Sequence, residues 1–223
     1  MTSRREFIER TSSSAALAAL SIPLGAFTSA AWASESHAAD EHWNLTWPSK
    51  ITGRHKAVFD VAEVESGYGV WRASAWAGQY AQVLKVAPAQ LSPVIVLRHN
   101  AIVLAMQQAF WDQYELGKLK SVTHPLTTQA TDKNPVLLDE TSGIPAPFNQ
   151  AALHKQLKRG VIVLACNLAL QDCVELIKKG GKSDEEAYKE AVANLVPGVI
   201  LQPSGVFAAV RAQEAGCAYV RSS

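Results

Sequence analysis

The sequence predicts a three-layer α/β/α domain on a mainly parallel five-stranded sheet, of the flavodoxin-like or Rossmann-like kind. Three observations predict it. Five short β-branched runs are apolar on both faces, helical segments separate most of them, and an apolar content of 48% is spread along a chain long enough for one sizeable core. The runs are residues 56–61, 93–98, 160–165, 199–202 and 218–220. A strand with one wet face alternates apolar and polar residues, whereas a strand covered by helices on both sides stays apolar throughout.

The segments between the runs carry helical signals. Within 68–84, Trp76, Tyr80, Val83 and Leu84 stand at i, i+4, i+7 and i+8, one face of a helix, and Trp71 falls off that face. Residues 101–116 read as one long apolar helix with Gln107, Gln108, Asp112 and Gln113 toward one side. Helices are also expected over 149–157 and 167–179, before and after the third strand. Ser183-Asp184-Glu185-Glu186 opens another, with Ser183 as cap and acids at the positive end of the helix dipole. The last spans 204–215 and is closed by Gly216 as a left-handed cap. Residues 121–146, with Pro125, Pro135 and Pro145, form the one long irregular stretch; a loop of that length covers a site or contacts another subunit.

The N-terminus has a different character. Ser3-Arg4-Arg5-Glu6-Phe7-Ile8-Glu9 precedes a weakly apolar stretch over 15–31, and Ala31-Trp32-Ala33 supplies a small-residue cleavage site. Paired arginines before an aromatic and an aliphatic residue resemble a twin-arginine export signal, with Glu9 where lysine is commoner. The organisation expected is therefore a signal over 1–33, a tail without helical or strand period over 34–53, and the α/β domain over 54–223, working in the periplasm with no stable membrane insertion once the signal is removed. Removing three basic and two acidic residues from totals of 21 and 20 leaves 18 of each, so the mature surface is formally neutral. That balance argues against nucleic acid or anionic lipid as partners.

In parallel sheets ligands collect at the carboxyl ends of strands. Those ends offer Asp60, Glu63 and Glu65 after the first strand, His99 and Asn100 after the second, Cys166 and Asn167 after the third, and Pro203, Ser204 and Gly205 after the fourth. The carboxylates read as solvated loop charges. His99 reads either as a base or ligand or as a hydrogen-bonded structural residue, and Trp71, Trp76 and Trp111 as core or subunit contacts. Cys166 and Ser204 run straight into helices, where free backbone N–H groups favour an anion or thiolate. Cys166 is the candidate reactive residue; the alternative is a small buried space-filler. Cys173 lies seven residues on along the same helix, ~10 Å away at ~1.5 Å per residue, beyond the ~7 Å that a disulfide spans. Cys217 begins the last strand, at the opposite edge of a parallel sheet. Cys166 is thus expected to be unpaired. No C-x-x-C, Gly-rich phosphate loop, G-x-S-x-G or H-E-x-x-H occurs, and neither metal nor cofactor is expected.

Over residues 54–221 the chain resembles the DsrE/DsrF-like, sulfur-relay family. The likeness rests on His55-Lys56-Ala57-Val58-Phe59-Asp60-Val61, on Val94-Ile95-Val96-Leu97-Arg98-His99, and on Val161-Ile162-Val163-Leu164-Ala165-Cys166-Asn167. Its ending, Val196-Pro197-Gly198-Val199 through Pro203-Ser204-Gly205-Val206 to Gln213-Glu214-Ala215-Gly216-Cys217-Ala218-Tyr219-Val220, is the most specific piece. The resemblance implies a parallel five-stranded sheet, assembly into homo- or hetero-oligomers, and a cysteine that carries sulfur as a persulfide, in the place of Cys166. Three functions stay open. One is sulfur handling at Cys166, with His99, Asn100, Asn167, Ser204 and Gly205 around it and a donor or acceptor protein as partner. Another is a non-catalytic module binding a small anion or metal, and the third is a structural oligomer. Exchanging both Arg4 and Arg5 for lysine should trap the precursor in the cytoplasm, because lysine lacks the planar guanidinium of the export address. Cell fractionation reads this, and normal export of the double variant would point to another route.

Overall fold

The computed structural model describes residues 43–223; the expected signal, and the tail as far as residue 42, lie outside the described residues. Five strands are present: β1 (His55–Val61), β2 (Leu91–Leu97), β3 (Ile162–Cys166), β4 (Ile200–Gln202) and β5 (Ala218–Arg221). They form one sheet in the order β4-β3-β2-β1-β5, and every pairing is parallel. β1 and β2 align from His55 opposite Leu91 to Val61 opposite Leu97, and β2 and β3 from Val94 opposite Ile162 to Leu97 opposite Ala165. Each strand lies within two residues of its predicted span. Every residue of β3 is buried, as a central parallel strand requires.

Alternate residues of the strands feed two separate cores. Phe59, Val61, Ile95, Leu97, Val163 and Ala165 face one, together with α1 (Tyr68–Val83) and residues of the segments after β2 and β3. Val58, Val94, Val96, Ile162 and Leu164 face the other, beneath Ala208 and Ala212 of the last helix. The three-layer arrangement follows directly.

Several helices differ from the sequence expectation. α1 buries Gly69, Val70 and Ala73 and rests Trp76 edge-on against Phe59, whereas Val83 and Leu84 are exposed. The helix outruns the core it packs on, so the apolar period read through Leu84 extends past the buried face. A Cβ on Gly69 would come within 2.5 Å of Val61, and its absence lets the first turn lie close on β1. The helix expected over 101–116 is three pieces: a 3-10 turn (His99–Ala105), α2 (Gln108–Gln113) and α3 (Leu116–Leu119). Long-range hydrogen bonds break it. The Gln107 N–H donates to the Asn194 carbonyl at 2.8 Å, and the Gln107 side-chain amide donates to the carbonyls of Ala193 and Leu195. Residues 149–157 likewise divide into a 3-10 turn (Phe148–Ala151) and α4 (Leu153–Lys158). The remaining helices match: α5 (Asn167–Lys178), α6 (Asp184–Ala193) with a capping box between Ser183 and Glu186, and α7 (Gly205–Glu214) followed by Gly216 at φ +91°. No helix among the described residues is long and apolar enough to cross a membrane.

The tail contains an anchor that the sequence did not suggest. Trp47 is fully buried and, with Ile51, joins the core under α7. Its indole N–H donates to Gln202 Oε1 at 2.9 Å, and Gln202 Nε2 donates in turn to the Asn44 carbonyl at 3.0 Å. Among the described residues α7 is the one α-helix contributing buried residues to that core, and Trp47, opening a 3-10 turn, extends the cover toward β4. Trp47→Ala should lower stability by about 3–5 kcal/mol, since it removes a large buried ring and leaves the Gln202 carbonyl oxygen without its donor. The urea midpoint measures this; a midpoint equal to wild type would make the segment an ornament on the sheet.

Candidate functional site

The carboxyl edge of the sheet is organised around Asp60. This residue is a buried member of β1, not the solvated loop charge that the sequence suggested. Arg98 clamps it, Nε donating to Oδ1 at 2.6 Å and Nη2 to Oδ2 at 2.8 Å, and the Tyr219 hydroxyl donates to Oδ2 at 2.5 Å. Burial pushes the Asp60 carboxyl up, but the hydrogen bonds from Arg98 and Tyr219 outweigh it and hold the group below the usual carboxylate range. The same bonds raise the Arg98 guanidinium and the Tyr219 phenol. A sequence signal existed. Asp60 lies inside an apolar run, in step with Val58, so it belongs to the strand and to its α7-side face.

Arg98 reaches Asp60 by passing under the start of α7. A Cβ on Gly205 would come within 2.5 Å of the Arg98 Cβ, so glycine is what the close approach requires. Ser204, beside it, accepts the Phe207 N–H at 3.0 Å and caps α7.

The other predicted residues reach the same edge but divide into separate groups. His99, in the left-handed region at φ +49°, places Nδ1 3.2 Å from Glu63 Oε1. Asn100 donates to Glu63 Oε2 at 2.8 Å and accepts from Lys120 at 3.1 Å. These four residues make a half-buried polar cluster from which His99 is exposed. Glu65 pairs with Arg72, and Asn167 accepts the Tyr188 hydroxyl at 2.9 Å, tying α5 to α6.

Cys166 ends β3 and is the N-cap of α5, where its Sγ accepts the Ala169 N–H at 3.4 Å. Its surface is 6% exposed, so a recessed sulfur stands at a helix start. All three cysteines are free. Burial pushes the Cys173 thiol up to about 12, and Cys217, just ahead of β5 at the opposite sheet edge, is also raised by burial. The Cys173 thiol, held so far above neutrality, stays protonated and unreactive.

The strand order changes direction between β1 and β5, the position where α/β sheets commonly open a ligand crevice. Here the protein's own residues fill it. The Ser223 hydroxyl accepts the N–H groups of Ala62 and Glu63, and Ser222 bonds the carbonyls of Asp60 and Gly69. A cleft beside the start of α1, under the long loop, is walled by Tyr68, Trp71 and Phe148, with Trp71 stacked on Phe148 at 5.5 Å. Its room of about 40 Å³ is far below the ~300 Å³ at which small-molecule pockets begin. Among the described residues no three His, Cys, Asp or Glu side chains stand together as a metal-binding group. Neither a protein-family model nor a curated protein matches the chain.

Because the Asp60 carboxyl is lowered on folding, its stabilisation is complete above the unfolded-state value and is lost as pH falls through the folded-state value. Asp60→Asn should therefore flatten the acid limb of the stability curve. It should also cost about 2–3 kcal/mol at neutral pH, less than a fully buried pair because Arg98 is one-third exposed. Denaturation at a series of pH values tests both, and an unchanged acid limb would remove Asp60 from the account.

Proposed function

We propose that the protein is an exported member of the DsrE/DsrF-like family that accepts and carries sulfane sulfur on Cys166. The observation that carries the reading is the cap at the start of α5, where Cys166 Sγ accepts the Ala169 N–H at 3.4 Å. A persulfide is an anion at neutral pH, and a helix start offers it backbone donors and the positive end of a dipole. The parallel five-stranded sheet is the architecture that the family resemblance implies, with Cys166 at the carboxyl end of its third strand. Cys173 is fully buried with its thiol pushed up to about 12, and Cys217, as buried as Cys166, lies at the opposite sheet edge with no helix start beside it, so Cys166 is the thiol the reading selects. Export rests on Arg4 and Arg5, and sulfur exchange in the periplasm is the consequence.

Incubation of the folded mature protein with polysulfide should add ~32 Da, one sulfur, at Cys166 and at neither other cysteine. Cys166→Ser should abolish the adduct with little loss of stability, since a hydroxyl caps a helix start well. An inert wild-type thiol, together with a destabilised serine variant, would make Cys166 a packing residue.

A further inference from the structure

The connection from α1 to β2 has the composition of a core segment and the exposure of a tip. Residues 82–90 read Gln-Val-Leu-Lys-Val-Ala-Pro-Ala-Gln, with six apolar residues and one charge, where a surface loop is ordinarily polar. Val83 is 74% exposed and Leu84 58%, and Ala87, Pro88 and Ala89 are exposed beyond them. The loop is folded onto the end of its helix, since the N–H groups of Leu84 and Val86 both donate to the Tyr80 carbonyl, at 3.1 and 3.3 Å. It presents an apolar surface that nothing in the chain covers.

The sheet edge around it is cationic. β1 and β2 start side by side, His55 opposite Leu91, and the His55 ring packs edge-on against Tyr80 at 5.2 Å. The entry to β1 therefore lies beside the end of α1, and it brings Lys50, Arg54 and Lys56 to the edge that holds Lys85. Lys56 Nζ donates to the Ala215 carbonyl at 3.2 Å, whereas Lys50, Arg54 and Lys85 are exposed and pair with no carboxylate among the described residues. The adjoining segments have none to offer: residues 43–59 and 66–111 contain no Asp or Glu. Glu214, at the end of α7, is paired with Arg211 at 2.5 Å. Positive charge is thus segregated on a formally neutral molecule, and net charge is no guide to what this edge meets.

We propose that the amino edge of the sheet docks reversibly on an anionic lipid surface. Val83 and Leu84 enter the headgroup region, and Lys50, Arg54, Lys56 and Lys85 meet the lipid phosphates. Basic side chains around a small apolar tip are the chemistry of a peripheral membrane contact, which needs no spanning helix. A second copy of the chain is a poorer occupant, because a two-fold contact through this loop sets each cation against its own counterpart. The contact is independent of Cys166, which lies at the carboxyl edge.

Sedimentation of the mature protein with vesicles tests this, with equal parts phosphatidylglycerol and phosphatidylcholine set against phosphatidylcholine alone. The protein should bind the anionic vesicles, less as salt rises, and leave the neutral ones. Val83→Ser with Leu84→Ser should weaken binding about tenfold, and Arg54→Gln with Lys85→Gln about tenfold or more. Val206→Ser, which alters a 67% exposed apolar residue on α7, should change nothing. All these side chains are exposed, so each variant should keep the wild-type urea midpoint. A wild type that ignores anionic vesicles, or one that binds neutral vesicles equally well, overturns the proposal. Equal loss through Val206→Ser overturns it too. So does a wild-type oligomer that light scattering shows falling to monomer in the Val83→Ser, Leu84→Ser variant, since the loop would then be a contact between copies.

Discussion

A carboxylate inside a sheet must be met by donors, and the groups that meet Asp60 come from the two strands flanking β1. Arg98 follows β2 and Tyr219 belongs to β5, while the Ser222 N–H donates to the Asp60 carbonyl from the segment beyond β5. Taking such a charge out of water costs several kcal/mol, and an apolar residue of similar volume would hold strands together as well or better. What the ion pair supplies is orientation. It holds one guanidinium plane at the mouth of the sheet, against a helix start that has no side chain to push it away.

That clamp also accounts for the distribution of chemistry along the edge. The crevice between β1 and β5 is filled by Ser222 and Ser223, and the half-buried cluster of Glu63, His99, Asn100 and Lys120 pairs within itself. At the same edge β3 carries Cys166 into α5, while the Arg98 guanidinium, after β2, is turned toward Asp60 on β1.

The strands were legible because parallel strands covered on both faces write unbroken apolar runs, and each run lies within two residues of an observed strand. Cys166 was legible for the same local reason, a run that stops where a helical pattern starts. The division of residues 101–116 was not, because the bonds from Gln107 to Ala193, Asn194 and Leu195 join segments more than 80 residues apart. Trp47 gave no period to read, since a single ring inserted into a core leaves none. Asp60 was misread by its charge, although its place in the run pointed inward. Its partners could not be read at all, since pairing across strands depends on register, which one strand's sequence does not state.

The contact between Gly205 and Arg98 has a consequence for how related sequences can diverge. A β-carbon at 205 would fall 2.5 Å from the Arg98 Cβ, an atom that every residue but glycine carries. A shorter side chain at 98 therefore makes no room, and alanine or serine at 205 requires the backbone of the two segments to part. Related sequences should keep glycine at 205 even where residue 98 changes.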